Sequence, residues 1–319
     1  MGTEIVSRLV AARRAELAYY SPYYFLRQFP PELQQALFGT GTATRWKQEA
    51  GAEIVATVSA EVQWLLQHLA WDSDYFASPM YRLFTALFGG LTSPAQLVQA
   101  ATELRQQLAV RHGKSYYAFS VVPAEDIRLL QALTGAGWQI VETRLTYYRD
   151  QLPAFDYPRH PVRAAKAGEA AHVGQIAATA RNTYDRFHAD SWFGEVRADA
   201  YLARYAENTV AAGLAATVLV PDSPELPVDS FLAISDLQAD SADLGTRLSR
   251  VLLTAVGPAN RGWHVKLVAE TLHRAKELEH EAVLMTTQAT NHAVFRTCEK
   301  LGLRLGATSH VLACNGLMA

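Results

Sequence analysis

The sequence predicts an α/β protein built on a mixed sheet, and three stretches predict it. An apolar strand over Val251 to Val256 runs into Gly257-Pro258, and Asn260-Arg261-Gly262-Trp263 then opens a helix. That helix places Val265, Val268, Ala269, Leu272 and Ala275 at helical spacing. A second strand over Ala282 to Thr287 follows. Asn291 then starts another helix, with Val294 and Leu301 on its buried side and Gly302 closing it. Strand, turn, helix, strand, helix is the crossover order of an α/β sheet.

The rest of the chain is read in order. Ile5, Leu9, Val10 and Leu17 make a helical stripe, a Tyr-rich piece (Tyr19, Tyr20, Tyr23, Tyr24) follows, and Pro30-Pro31 starts a helix that Gly39 and Gly41 end. Ile54, Val55, Val58, Val62 and Leu65 predict a further helix over Glu53 to Leu66. Residues 1–65 therefore read as a helical extension. Trp71-Asp72-Ser73-Asp74-Tyr75-Phe76 begins a new unit: strand 80–87, helix 94–111, strand 116–121, helix 126–135 and strand 138–148. Two strand–helix–strand passes make residues 66–152 a half-size α/β unit. Pro153, Pro158 and Pro161 mark a linker. Residues 160–319 then read as a complete domain: strand 162–165, helix 169–183, an Arg/Asp-rich segment 184–190, helix 198–210, a hairpin through 218–237, the two β–α passes described above, and a closing strand 304–314.

Composition narrows the function classes. Half the residues are hydrophobic and 19% are charged, which is globular. A net charge of −2 leaves no basic excess for a nucleic-acid footprint. Cys298 and Cys314 are the only cysteines, too few for a disulfide framework or a zinc cluster, and metal is not expected. The first residues carry charges inside their apolar run, so no signal peptide is read there, and Val6 stands where a myristoylation signal needs Ser or Thr. The longest apolar run, 210–220, is too short to span a bilayer. A cytoplasmic protein without membrane or nucleic-acid partners is expected, with a homodimer possible.

The turn before the first of these helices is where chemistry can sit. A helix start has unpaired N–H groups and a partial positive charge, which suit a phosphate or pyrophosphate. Gly262 lets the chain approach a ligand and Arg261 adds charge. The stretch Pro258-x-x-Arg261-Gly262 before a helix, then a strand and a second helix, resembles the CoA-binding core of the GNAT acyltransferase superfamily. The family's second helix often reads Asn-x-x-Ala-x-x-x-Tyr-x-x-x-Gly; this chain has Asn291-x-x-Val294-x-x-x-Cys298-x-x-x-Gly302. Its phosphate loop usually has two small residues where this chain has His264 and Lys266. Backbone donors survive that change and Lys266 adds charge, whereas a bulky His264 would crowd a pyrophosphate. An ordinary strand–helix turn is the alternative.

The resemblance implies a GNAT fold, a half-size GNAT-like unit ahead of it and an extra helical segment. It implies acetyl-CoA as acyl donor, with Leu253, Thr254 and Val256 along the thioester arm, Arg261, Gly262, Trp263, His264, Val265 and Lys266 at the pyrophosphate, and Asn291 beside them. It also implies N-acetyl transfer by direct attack of an amine on the thioester. In place of the family's Tyr, Cys298 is the candidate acid, or else a small buried hydrophobe. Asp236 and His188 are the candidate bases, with His292 and His310 behind them. More narrowly, Trp71 to Phe76, Arg186-Phe187-His188-x-Asp190 and the 201–208 helix look similar to dTDP-fucosamine (dTDP-4-amino-4,6-dideoxygalactose) N-acetyltransferases. That implies a nucleotide-linked amino sugar as acceptor, with Arg181 and Arg186 available to its diphosphate unless Asp185 or Asp190 takes them. An amino acid, polyamine or peptide acceptor, and a non-catalytic acyl-CoA-binding or scaffold protein, are the other readings.

Overall fold

The computed structural model describes residues 2–58, 61–113 and 115–316, without the side chains of residues 2 and 3. The chain divides into two compact units, residues 1–143 with 308–319 and residues 144–307.

The first unit opens with α1 (Gly2–Ala12), α2 (Arg14–Leu17), α3 (Pro31–Leu37) and α4 (Thr40–Arg45). Then come β1 (Ala52–Ala56), β2 (Val62–His68), α5 (Ala70–Phe76), β3 (Met80–Phe88), α6 (Pro94–His112), β4 (Tyr117–Pro123), α7 (Ile127–Gly135) and β5 (Gln139–Arg149). The predicted helix over 53–66 is instead the antiparallel hairpin β1–β2, with Ala52 opposite Gln67. Five scattered apolar positions satisfied a helical template there. The segment is rich in β-branched residues, and β2 is buried on both faces. Trp64 and Leu66 pack with α6 and α7 on one face, while Leu65 joins Leu9, Leu17 and Trp46 on the other. β2 pairs antiparallel with β3, and β3 parallel with β4. α6 is the long amphipathic helix expected, burying Leu97, Ala101, Leu104 and Leu108 and starting at a Ser93/Gln96 capping box.

The second unit continues through β6 (Val162–Ala164), α8 (Ala170–Thr179), α9 (Arg186–Ala189), α10 (Glu195–Ala211), β7 (Thr217–Pro221), β8 (Ser230–Ser235), α11 (Gln238–Leu244), β9 (Leu248–Val256), α12 (Trp263–Glu277), β10 (Ala282–Gln288), α13 (His292–Lys300) and β11 (Arg304–Asn315). Its strands are ordered β5-β10-β9-β8-β7-β6, and only β9 and β10 run parallel. α8 and α10 cover one face through Val173, Ile176, Ala177 and Ala206. α12 and α13 cover the other through Leu267, Val268, Leu272, Val294 and Cys298. The mixed α/β sheet matches the fold class expected.

Residues 144–149 of β5 run antiparallel to β10 in the second unit, and residues 309–315 of β11 run antiparallel to β4 in the first. The Pro-rich linker is tied along α12. The buried carboxylate of Glu270 accepts from the His160 N–H at 2.5 Å and from Arg159 Nε at 2.9 Å. Lys276 donates to the Phe155 carbonyl at 2.9 Å. Polar residues on α12 therefore hold chain rather than face solvent.

Candidate functional site

The site begins where β9 and β10 part. Their parallel pairing runs from Leu248 opposite Ala282 to Val251 opposite Met285 and stops there. Both strands continue, β9 to Val256 and β10 to Gln288, with β10 still held by β5 on its other side. At the same point the β8–β9 ladder steps from Ile234–Val251 to Ala233–Leu253, leaving Leu252 as a bulge. A bulge bends its strand and re-aims the residues beyond it. Leu252, Leu253, Thr254 and Val256 are half-buried, in a strand whose β10-facing groups have lost their partner. Beyond Val251 the two strands therefore leave a gap in the ladder.

At the open end β9 turns into α12. Gly257 is required: a Cβ there would sit 2.2 Å from Asp229 Oδ1. That carboxylate accepts the Ala259 N–H at 2.8 Å. Asn260, fully buried, accepts from the Asp229 N–H and the Ser230 hydroxyl and donates to the Pro227 carbonyl. Gly262 lies in the left-handed region at φ +89, and a Cβ on it would meet nothing within 4 Å. No side chain caps α12. A fixed turn thus presents uncapped N–H groups over an open approach, the arrangement that receives an anion.

No protein-family profile matches the sequence, and neither does any curated protein. Solved structures do match. A GCN5-related N-acetyltransferase from Sphaerobacter thermophilus aligns at 11% identity and TM-score 0.55, covering 99% of this chain and 93% of its own. This chain has the GNAT fold. A conserved protein of unknown function from Staphylococcus epidermidis ATCC 12228 aligns at 13% identity and TM-score 0.53, over 86% of this chain and 98% of its own. These likenesses establish the architecture and carry nothing specific to amino-sugar acetyltransferases.

Within the GNAT fold the predicted residues fall into distinct places. Leu253, Thr254 and Val256 lie on β9 beyond the last β9–β10 pair, Arg261 and Gly262 precede α12, and Trp263, His264, Val265 and Lys266 form its first turn. The two unusual side chains turn onto the protein. The His264 ring meets Thr297 of α13, and the Lys266 ammonium lies 4.6 Å over the Trp263 ring. Asn291 caps α13, its side-chain oxygen accepting the Val294 N–H at 3.3 Å.

The proton-transfer candidates are all engaged elsewhere. Cys298 is fully buried in the apolar layer beneath α12 and α13, and burial pushes its thiol up to about 12. A thiol so placed packs; nothing in its setting marks a proton donor. Asp236 follows β8 beside the start of β9, at the opposite end of that strand from the turn. Its two oxygens accept from Arg274 at 2.7 and 2.8 Å. Burial alone would raise its pKa, but Arg274, with His280 and the Ser249 hydroxyl, outweighs burial and lowers it. His188 has Asp185 Oδ2 2.8 Å from Nδ1 and Asp199 Oδ1 3.0 Å from Nε2, so both ring nitrogens face carboxylates of the protein itself. Arg181 pairs with Asp199 and Glu195. Arg186 is buried, stacked 4.3 Å over Phe187. His292 packs edge-on against Phe295, and His310 meets the Thr143 hydroxyl in the first unit.

Sequence reasoning missed Asp229 and Asn260, which shape the turn, and the Asn182–Gln288 bond (2.8 Å) that ties the α8–α9 loop to the end of β10. Asn260 was visible as a polar residue ahead of a helix. Its buried contacts with 227–230 depend on β8 lying beside β9, which no local signal announces.

Proposed function

We propose that the protein is an acyl-CoA-dependent N-acyltransferase, with acetyl-CoA as donor and a small amine as acceptor. The observation that carries the reading is the coincidence of three features: the end of β9–β10 pairing at Val251/Met285, the bulge at Leu252, and the uncapped start of α12 behind Gly262. Bound acyl-CoA would supply the activated acyl group. The backbone of 253–256 would hold the arm, and the N–H groups of 262–266 the pyrophosphate. A backbone N–H near Val256 would face the thioester oxygen as charge develops on it. With Cys298, Asp236 and His188 otherwise engaged, the protein's share is alignment and exclusion of water rather than a dedicated acid and base.

Among acceptors, the nucleotide-linked amino sugar loses one anticipated partner, because Arg181 is already paired with two carboxylates. Amino acids, polyamines and peptides belong in the same acceptor panel. The first test is thermal melting with and without acetyl-CoA. Ligand at about 100 times its dissociation constant adds about 2.7 kcal/mol, a rise of several degrees. Release of free thiol with one acceptor class would establish transfer. No shift in a folded protein would overturn the reading.

A further inference from the structure

The first unit repeats the strand geometry of the second. β3 and β4 pair in parallel from Met80–Tyr117 to Leu83–Ser120 and no further, although β3 runs on to Phe88. The β2–β3 ladder steps from Leu66–Leu83 to Leu65–Thr85, leaving Phe84 as a bulge one residue past the last parallel pair. Leu252 stands in that relation to Val251. The helix after the parallel strand is capped alike in both units, by Asp126 accepting the Leu129 N–H and by Asn291 accepting the Val294 N–H, each at 3.3 Å.

What lies over this second gap differs. The Arg13 guanidinium stands 4.1 Å over the Phe88 ring, at the end of β3, and binds both oxygens of Asp126, at 3.0 and 2.5 Å. Both side chains are 1% exposed or less. The Tyr20 hydroxyl donates to the same carboxylate at 2.8 Å, and its ring lies 5.3 Å from that of the bulged Phe84. Trp46 stacks on Phe84 at 5.1 Å. Residues 84–88 are buried throughout, where 252–254 are half-open. The helix start is closed as well: Ser93 and Gln96 cap α6 with their own side chains, and Arg128 donates to the Thr92 carbonyl.

We propose that the N-terminal segment, through Arg13, Tyr20 and Trp46, is the built-in occupant of the first unit's strand gap. This unit therefore takes no acyl-CoA, and the chain carries a single acyl-CoA site, in the second unit. The count of one rests on the function proposed above; the occupied gap does not. The chemistry is consistent throughout: a cation and a phenol satisfy the carboxylate that caps α7, and aromatic rings fill the space beside the bulge. An anionic ligand that displaced Arg13 from Asp126 would leave a buried carboxylate without its cation, which is strongly unfavourable.

Hydrogen exchange of the full chain, free and with acetyl-CoA, tests this. In the free protein, residues 84–88 are expected to exchange at least ~10-fold more slowly than 252–256, because the segment above them must open first. Acetyl-CoA should slow exchange in 252–266 and leave 84–88 unchanged. Equal rates in the two segments of the free protein, or slowing of 84–88 by acetyl-CoA, would overturn the proposal. Absence of any effect on 252–266 would instead overturn the cofactor reading of the second unit, with the free-protein comparison standing. Arg13→Ala should accelerate 84–88 by at least ~10-fold, and an unchanged rate would also overturn it. If that variant does not fold, the wild-type comparison decides alone.

Discussion

His264 and Thr297 tie the start of α12 to the middle of α13. The Thr297 hydroxyl lies 3.3 Å from the Ala293 carbonyl and 2.9 Å from His264 Nδ1. His264 Nε2 is covered and meets no hydrogen-bond partner among the described residues. The His264 side chain thus braces one helix against the other.

Stability should therefore depend on pH in a defined window. Burial lowers the His264 pKa to about 4, against about 6.5 in the unfolded chain. Between those values the unfolded chain binds more protons, so stability is complete above pH 6.5 and falls as pH drops towards 4. Denaturant midpoints of the wild type and His264→Phe across pH 4–7 check this. The variant should lose part of the slope, and equal slopes would show that His264 does not titrate as described.

Cys298→Ala should cost about 1 kcal/mol in urea unfolding, the effect of a small cavity in an apolar layer. Acyl transfer should stay within about twofold of wild type and keep its pH profile, since a thiol raised to about 12 is no acid at neutral pH. A tenfold loss of turnover with an altered alkaline limb would restore Cys298 as a proton donor.

Asp236→Asn should reduce stability by about 1–3 kcal/mol, less than a fully buried pair because both partners are partly solvated. With its pKa held down in the folded state, the Asp236 contribution is present above the unfolded value near 3.9 and is lost as pH falls below it. Acetyl-CoA affinity, read by calorimetry, should be unchanged, because the pair lies at the far end of β9. A large loss of affinity would place Asp236 in the site after all.

The two glycines of the turn should separate structure from binding. Gly257→Ala drives a methyl into Asp229 and should lower the Tm by several degrees with or without ligand. Gly262→Ala meets no atom, so its cost is the backbone strain of φ +89, about 1 kcal/mol. It should weaken acetyl-CoA binding beyond its effect on the free protein. Equal ligand-induced shifts in both variants would argue against an anion at the start of α12.

What the sequence determined by itself was local. Apolar periodicity placed β9, α12, β10 and α13, because a strand or helix with one buried face must repeat its apolar residues at its own period. The same reasoning located Gly262 and the cap at Asn291. It failed over 53–66, where a few apolar positions fit either period and only pairing with β3 selected strands. Tertiary structure decided the remainder. Whether β9 and β10 part at Val251, whether Asp236 meets Arg274, and whether Cys298 faces a ligand or the core all depend on which strand lies beside which. Those pairings join residues far apart in the chain, as Arg13 and Asp126 do, and their energies appear only when distant segments are brought together and water is excluded between them.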